Sequence, residues 1–481
     1  MKLLCVLLLS VVAVSHALNG FSTNFRTNLH REPFYQSPVR SNAVETKWIE
    51  QKLDNFNESD SRTWQMRYLE NAEHHKPGGP MFIYVGGEWT VSPGSISGGH
   101  WYDMAKELNG ILFYTEHRYY GSSHPTADMS YKNLEWLSVD QALADLAHFI
   151  TAMKKTRPEL KNSGVVMLGG SYSATMVTWF RLKYPHLVDG VWSSSAPLYA
   201  KMDFVEYKEI MSEAIHLVGG EKCHEIFREA YAEMEKLVAE GNPSRINDEL
   251  KLCSPLNTTN QLDVWNMFSE LSDNVAGLVQ YATVASIENA CDALMNPRYR
   301  DALEAYAAWT VGRLNGKCFS HEYSAFVNNL RQTKWNDDAM RQWMYQTCTE
   351  FGWYQTSGSP NQPFGSSFPI DLYKLMCRDI YDESLTSNQL EANAQRINAL
   401  YGGLTPNMTN VYFTHGQLDP WRAMGRQVDL NEDAMAVVIP LIAHVADTGS
   451  LSSENNPELI DSKKRIQGLV KQWLNVKSHF A

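Results

Sequence analysis

Short apolar runs recur along the first part of the chain, each bounded by glycine, proline or polar residues. Pro77-Gly78-Gly79-Pro80 is a turn, and Met81 to Val85 after it reads as a short buried strand. Ile111 to Tyr114, Val165 to Leu168 and Gly190 to Ser193 repeat the pattern. Helical patterns lie between them. Ser138 with Gln141 forms a capping box for a helix from Val139 to Lys154, and Ala174 to Tyr184 continues helically after the third strand. Strands alternating with helices predict a mostly parallel sheet covered on both faces.

From about Tyr199 to Cys377 the strand signals vanish. Helical stretches take over: Glu225 to Val238, Val264 to Gln280, Tyr299 to Val311 and Ala339 to Tyr345. The α/β pattern then resumes with strands at Val411 to Thr414 and Ala434 to Pro440. Asn456 caps a last helix that has Pro457 at its first position and runs to about Val476. The expected organisation is a signal over 1–17, an irregular segment or propeptide over 18–45, and an α/β domain in two parts, 46–198 and 378–481. A helical cap over 199–377 interrupts that domain.

The N-terminus changes the picture. Lys2 followed by the apolar run Leu3 to Val14 and by Ser15-His16-Ala17 is a secretory signal pattern. The run is shorter than the roughly 20 apolar residues that an anchor needs, and no second run of that length follows. The expectation is an exported chain without a membrane anchor, extracellular or lysosomal. Removing the signal removes Cys5 and leaves Cys223, Cys253, Cys291, Cys318, Cys348 and Cys377, all within the helical region. An even set in an exported protein implies three disulfides, with 15 pairings open to the residues alone. Asn57, Asn257 and Asn407 head glycosylation sequons. A formal net charge of −12 with no basic block argues against nucleic-acid binding. No CxxC pair supports a zinc-ribbon or thioredoxin reading, and neither a metal nor a cofactor is expected.

Candidate chemistry centres on Gly169-Gly170-Ser171-Tyr172-Ser173. It follows the strand Val165 to Leu168 and precedes a helix, which is the layout of a nucleophile elbow. A serine hydroxyl needs a base to take its proton and a carboxylate to orient that base. On this framework the order is Ser, acid, His, each after a strand. Asp419 lies past the strand Val411 to Thr414, and His444 past the strand ending at Pro440. His415 rivals His444 as base and Asp447 rivals Asp419 as acid, whereas His117 and His124 come too early for that order. The backbone N–H groups of Tyr172 and of Gly87, in the loop Gly86-Gly87-Glu88-Trp89, are the candidate oxyanion donors.

Several further blocks stand in order: Gln51-Lys52-Leu53-Asp54-Asn55-Phe56-Asn57, Gly86-Gly87-Glu88, Glu116-His117-Arg118-Tyr119-Tyr120-Gly121, Trp192-Ser193-Ser194-Ser195-Ala196-Pro197, Leu252-Cys253-Ser254-Pro255-Leu256 and Leu418-Asp419-Pro420-Trp421. Together with the elbow they resemble the family of prolyl carboxypeptidase, dipeptidyl peptidase II and thymus-specific serine protease, with the Gly-Gly-Glu form nearest the thymus-specific branch. The resemblance implies an α/β-hydrolase fold with a helical insertion and a secreted or lysosomal serine exopeptidase acting on peptides. It also implies a triad of Ser171, Asp419 and His444, and the pairs Cys223–Cys291, Cys253–Cys318 and Cys348–Cys377. Trp421 and Thr175 fall on pocket-lining positions, with Thr175 where proline-specific members carry Met. Ser173 stands where most members carry Gly or Ala. Glu88 is a candidate for a substrate ammonium. Proline or a small residue is expected before the scissile bond, and a homodimer is an open expectation. The competing readings are an esterase and a catalytically inactive hydrolase-fold binding protein.

Overall fold

The computed structural model describes residues 25–39 and 43–475. The expected signal over 1–17 lies outside these residues. In chain order the strands are β1 (Val44–Lys52), β2 (Thr63–Asn71), β3 (Met81–Val85), β4 (Ile111–Thr115), β5 (Val165–Gly170), β6 (Gly190–Ser194), β7 (Lys201–Asp203), β8 (Gly352–Tyr354), β9 (Val411–Gly416) and β10 (Ala434–Ile439). Eight of them form one sheet in the order β1-β2-β4-β3-β5-β6-β9-β10. The pairings of β2 with β1 and with β4 are antiparallel, and the rest are parallel. The sheet is the mostly parallel one that the alternating pattern predicts.

Strand geometry divides each apolar run between two cores. Met81, Ile83 and Val85 of β3 and Val165 and Met167 of β5 point to one face, packed with Phe149 and Ile150 of the helix Val139–Thr156 and Val177 of the helix Tyr172–Lys183. Phe82, Tyr84, Val166 and Leu168 point to the other, against Trp101 of the helix His100–Glu107 and Ile466 and Val470 of the helix Pro457–Trp473. Strands buried on both faces read as continuous apolar runs, which is why β3 and β5 are visible in the sequence. The antiparallel strands β1 and β2 were not read from it. β1 is half exposed and carries charged residues, so it shows no such run.

The helical region is built around the helix Gln261–Gln280, which is buried along most of its length. Two short strands, β7 and β8, also lie between Tyr199 and Cys377 and pair in parallel. At three residues each they are too short to show a period. The stretch Glu225 to Val238 belongs to a longer helical span, Glu206–Ala239, broken at Gly220, whose φ is 74°. Disulfides join Cys223 to Cys291, Cys253 to Cys318 and Cys348 to Cys377, across sequence separations of 68, 65 and 29 residues. All three lie in this region, where they supplement a helical layer that has only the short β7-β8 pair to brace it. Each is worth about 2–4 kcal/mol.

Three local differences have physical causes. Ser138 accepts from the Gln141 N–H as a cap should, but the Gln141 amide does not return the bond. It is engaged by Asp54 and Asn55, so a long-range contact displaces half of the capping box. The last helix ends at Trp473. Within 18–45, residues 25–39 are not a loose tail. A 3₁₀ turn at Arg26–Leu29 precedes an extended run, and Phe25, Leu29 and Phe34 are buried. Arg26 is fixed by Asp273, at 3.0 Å, and Ser269, at 2.6 Å, on the central cap helix. Phe34 meets Tyr84 and Tyr114 edge-on under the sheet edge. The segment thus bridges cap and sheet.

Candidate active site

Parallel strands bring their carboxyl ends to one edge, and loops at that edge of an α/β sheet form its binding crevice. The loops after β3, β5, β9 and β10 therefore share one place. They carry Gly87 and Glu88, Ser171, Asp419 with Trp421, and His444.

Ser171 sits at the turn between β5 and the helix Tyr172–Lys183, with φ 60° and ψ −135°. Positive φ costs a side-chain-bearing residue steric energy and persists where the surroundings enforce it. Here the Ser171 N–H is held by the Ser194 carbonyl at 3.0 Å. Ser173 closes the turn from the other side: its hydroxyl bonds Gly170 at 2.9 Å, so a serine at this crowded position is satisfied within the turn itself. A Cβ on Gly170 would lie 2.7 Å from Val445, the residue after His444, so the elbow and the histidine loop pack directly together. Tyr172 is the first residue of its helix. Its N–H is one of the donors that a helix start leaves unpaired, at the positive end of the helix dipole. Gly87 is close-packed as well, since a Cβ there would meet the Trp89 ring at 2.6 Å.

His444 and Asp419 meet at 2.9 Å, Nδ1 to Oδ1, both fully buried. A carboxylate only accepts, so Nδ1 carries the proton and Nε2 keeps its lone pair. Nε2 has no hydrogen-bond partner among the described residues. Burial pushes the Asp419 carboxyl up, but His444, its hydrogen bond, His415 and the Trp421 N–H together hold it below its ordinary value. The rivals are placed elsewhere. Asp447 accepts from the Ser194 hydroxyl at 2.6 Å and the Thr414 hydroxyl at 2.5 Å, which occupies both of its oxygens. His415 is buried with neither ring nitrogen partnered among the described residues, and burial lowers it to about 4. His117 lies under the elbow. Its Nδ1 donates to the Arg118 carbonyl, so Nε2 accepts from the Tyr172 hydroxyl at 3.1 Å. Burial lowers it to about 3. His124 stacks on Trp335 of the cap with ring centroids 3.9 Å apart.

Trp421 packs among Phe204, Tyr207 and Trp353 with ring centroids 5.6–5.8 Å away, and lies 6.4 Å from His444. It lines a small, partly open cavity with Arg26, Leu29, His30, Trp343 and Trp353. Thr175 is fully buried and gives its hydroxyl to the Pro197 carbonyl at 2.7 Å, so no polar atom of it is offered to a ligand. Glu88 is buried with Oε1 3.8 Å from His30 Nδ1 and Oε2 unpartnered among the described residues. Asn57, Asn257 and Asn407 are exposed, as sugar attachment would require. Sequence reading missed the contribution of the N-terminal segment and of the cap tryptophans Trp343 and Trp353. They reach the cavity through long-range packing, which leaves no local signal.

These buried groups set a pH dependence of stability. Burial raises Glu350 from 4.5 to about 8, as it accepts from the Val139 N–H beneath the elbow. Below 6.5 the unfolded chain binds more protons than folded His117 and His415, whose folded values are about 3 and about 4. Their contribution is complete above 6.5 and is lost as pH falls through the folded values. Glu350 runs the opposite way, complete below 4.5 and lost as pH rises to about 8. Between 4.5 and 6.5 the two histidines outweigh the one carboxyl, and above 6.5 the carboxyl acts alone, so the melting temperature is expected to peak near pH 6.5 and to decline from there to about 8. Glu350→Gln should flatten the decline above pH 6.5, steepen the rise between 4.5 and 6.5, and leave the curve below 4.5 unchanged; a wild-type curve that climbs steadily to pH 8 contradicts the assignment.

The family model described as "Serine carboxypeptidase S28" matches residues 51–466. The thymus-specific serine protease of Mus musculus is 32% identical over 446 residues, covering 89% of this chain and 87% of its own length. A putative serine protease of Caenorhabditis elegans, K12H4.7, is 31% identical over 453 residues, covering 88% and 87%. The lysosomal Pro-X carboxypeptidase of Bos taurus is 28% identical over 499 residues, covering 98% and 97%.

Proposed function

Since this chain belongs to the serine carboxypeptidase S28 family and is a serine-type peptidase, we propose that it is a secreted or lysosomal exopeptidase working through Ser171, His444 and Asp419. The observation that carries the reading is the buried His444–Asp419 bond, which leaves Nε2 as a free base beside the strained Ser171 turn. In the reaction His444 takes the hydroxyl proton as Ser171 attacks the peptide carbonyl, then returns it to the leaving amine. The N–H groups of Tyr172 and Gly87 receive the charge developing on the oxygen. Asp419 stabilises the imidazolium formed on the way. Water then hydrolyses the acyl-enzyme with the same histidine as base. Reaction of the wild-type protein with a fluorophosphonate, mapped to Ser171, tests this.

Chain ends or short peptides are the proposed substrates, because the cap and residues 25–39 both line the cavity beside Trp421, as a roof over the cleft would. Three disulfides suit an oxidising compartment, and among the described residues no helix is long and apolar enough to cross a membrane. The flat Trp421 ring beside the acid loop suits a pyrrolidine before the scissile bond. Thr175, shorter and more polar than the methionine of the proline-specific members, favours looser selection. Trp421→Ala should reduce kcat/KM on Xaa-Pro substrates at least about tenfold more than on Xaa-Ala substrates. Equal losses would remove Trp421 from the pocket, and efficient internal cleavage of a folded protein, seen by mass spectrometry of the digest, would remove the roof.

A further inference from the structure

The central cap helix Gln261–Gln280 ends inside the site, and its last residue is buried. Gln280 reaches four partners from four elements. Its main-chain carbonyl accepts from the His444 N–H at 3.0 Å. Its side-chain Oε1 accepts from the Trp421 indole N–H at 3.0 Å and from the Tyr207 hydroxyl at 2.6 Å. Its Nε2 donates to the Leu29 carbonyl of the N-terminal segment at 3.3 Å. The amide can point only one way. An indole N–H cannot accept and a carbonyl cannot donate, so a flipped amide would set donor against donor and acceptor against acceptor.

Trp421 is otherwise held by ring packing, and ring contacts tolerate tilting far better than a hydrogen bond does. Its indole N–H has one direction, and Gln280 Oε1 sets it. The same side chain pins Leu29, which lines the same cavity as Trp421. We propose that Gln280 is a positioning residue for substrate selection: it aims the Trp421 indole and fixes the Leu29 wall, so that the cap decides the shape of the pocket before the scissile bond. The inference rests on the reading of Trp421 as a pocket wall. It assigns Gln280 no contact with substrate and no part in proton transfer.

Two readouts separate this role from a general structural one. The His444 N–H is held by the main chain of residue 280, which any substitution retains, so the triad should survive changes to the side chain. The labelling rate with a small fluorophosphonate reports the triad. The spread of kcat/KM across short peptides that differ only in the residue before the scissile bond (Pro, Ala, Leu, Phe) reports the pocket. Gln280→Leu in the full chain removes three side-chain hydrogen bonds, and the one that aims the Trp421 indole should by its loss compress that spread about threefold to tenfold. Labelling should change by less than about twofold, below that effect. Gln280→Glu keeps an acceptor oxygen for the Trp421 indole in either protonation state but gives up the amide donor to Leu29, so it should retain most of the selectivity lost in Gln280→Leu. Tyr207→Phe keeps the Trp421 bond and should retain it too. Trp421→Phe has no indole N–H, so adding Gln280→Leu to it should change the spread only by what the Leu29 bond contributes, clearly less than in the wild-type background.

Additive losses in that double variant, or a Gln280→Glu as unselective as Gln280→Leu, would overturn the proposal. So would labelling that falls in step with selectivity. Should Gln280→Leu fail to accumulate as folded protein, Gln280→Met carries the same comparisons. A wild-type series that ranks another residue above proline removes the proline preference but still tests Gln280, because the spread is read whatever its order. A flat wild-type series removes the pocket and the proposal with it.

Discussion

Replacing Ser171 with alanine is expected to lower kcat by about 10⁴–10⁶-fold, and His444→Ala should do the same. The two losses should not add in the double variant, because nucleophile and base act as one unit. The turn itself should tolerate the change. Alanine at 171 keeps the backbone bond to the Ser194 carbonyl, and the Ser173–Gly170 closure does not involve the Ser171 hydroxyl. Melting temperature should therefore stay near the wild-type value while fluorophosphonate labelling vanishes. His415→Ala is the control. Its ring reaches no partner among the described residues, so labelling should persist even where packing loss lowers stability. Activity that survives in His444→Ala and disappears in His415→Ala would move the base to His415.

Asp419→Asn should cost about 10⁴-fold in kcat with little change in KM. The carboxylate faces His444 in a fully buried site, so the positive imidazolium formed during attack has no water to stabilise it there. An amide of the same shape can still accept from the Trp421 N–H, which preserves the loop, but it supplies no charge. Asp447→Asn gives the contrast. Its oxygens serve the Ser194 and Thr414 hydroxyls, so its loss should appear in stability and only weakly in turnover. Comparable kinetic losses in the two variants, measured on the same peptide, would mean that the acid had been assigned to the wrong loop.

What the sequence determined was what a few adjacent residues can encode. Runs such as Met81 to Val85 and Val165 to Leu168 are apolar throughout because parallel strands are buried on both faces, so both the strands and the parallel sheet were legible. The Gly-flanked Ser171 was legible because a strand-to-helix turn needs small neighbours, and Asp419 and His444 because each follows a strand that ends at the same edge. Family likeness extended this to the cysteine pairs, which spacing alone left open. What only the tertiary structure decided was which side chains meet. The sequence held two candidate bases and two candidate acids. The fold joined His444 to Asp419, gave Asp447 to two hydroxyls and left His415 aside. It also turned residues 25–39 from an apparent tail into a wall of the cavity, and set Gln280 between helix, acid loop and N-terminal segment. Such contacts join residues hundreds of positions apart. A hydrogen bond acts over about 3 Å, and nothing local to Gln280 or Leu29 records a partner that only folding brings within that reach.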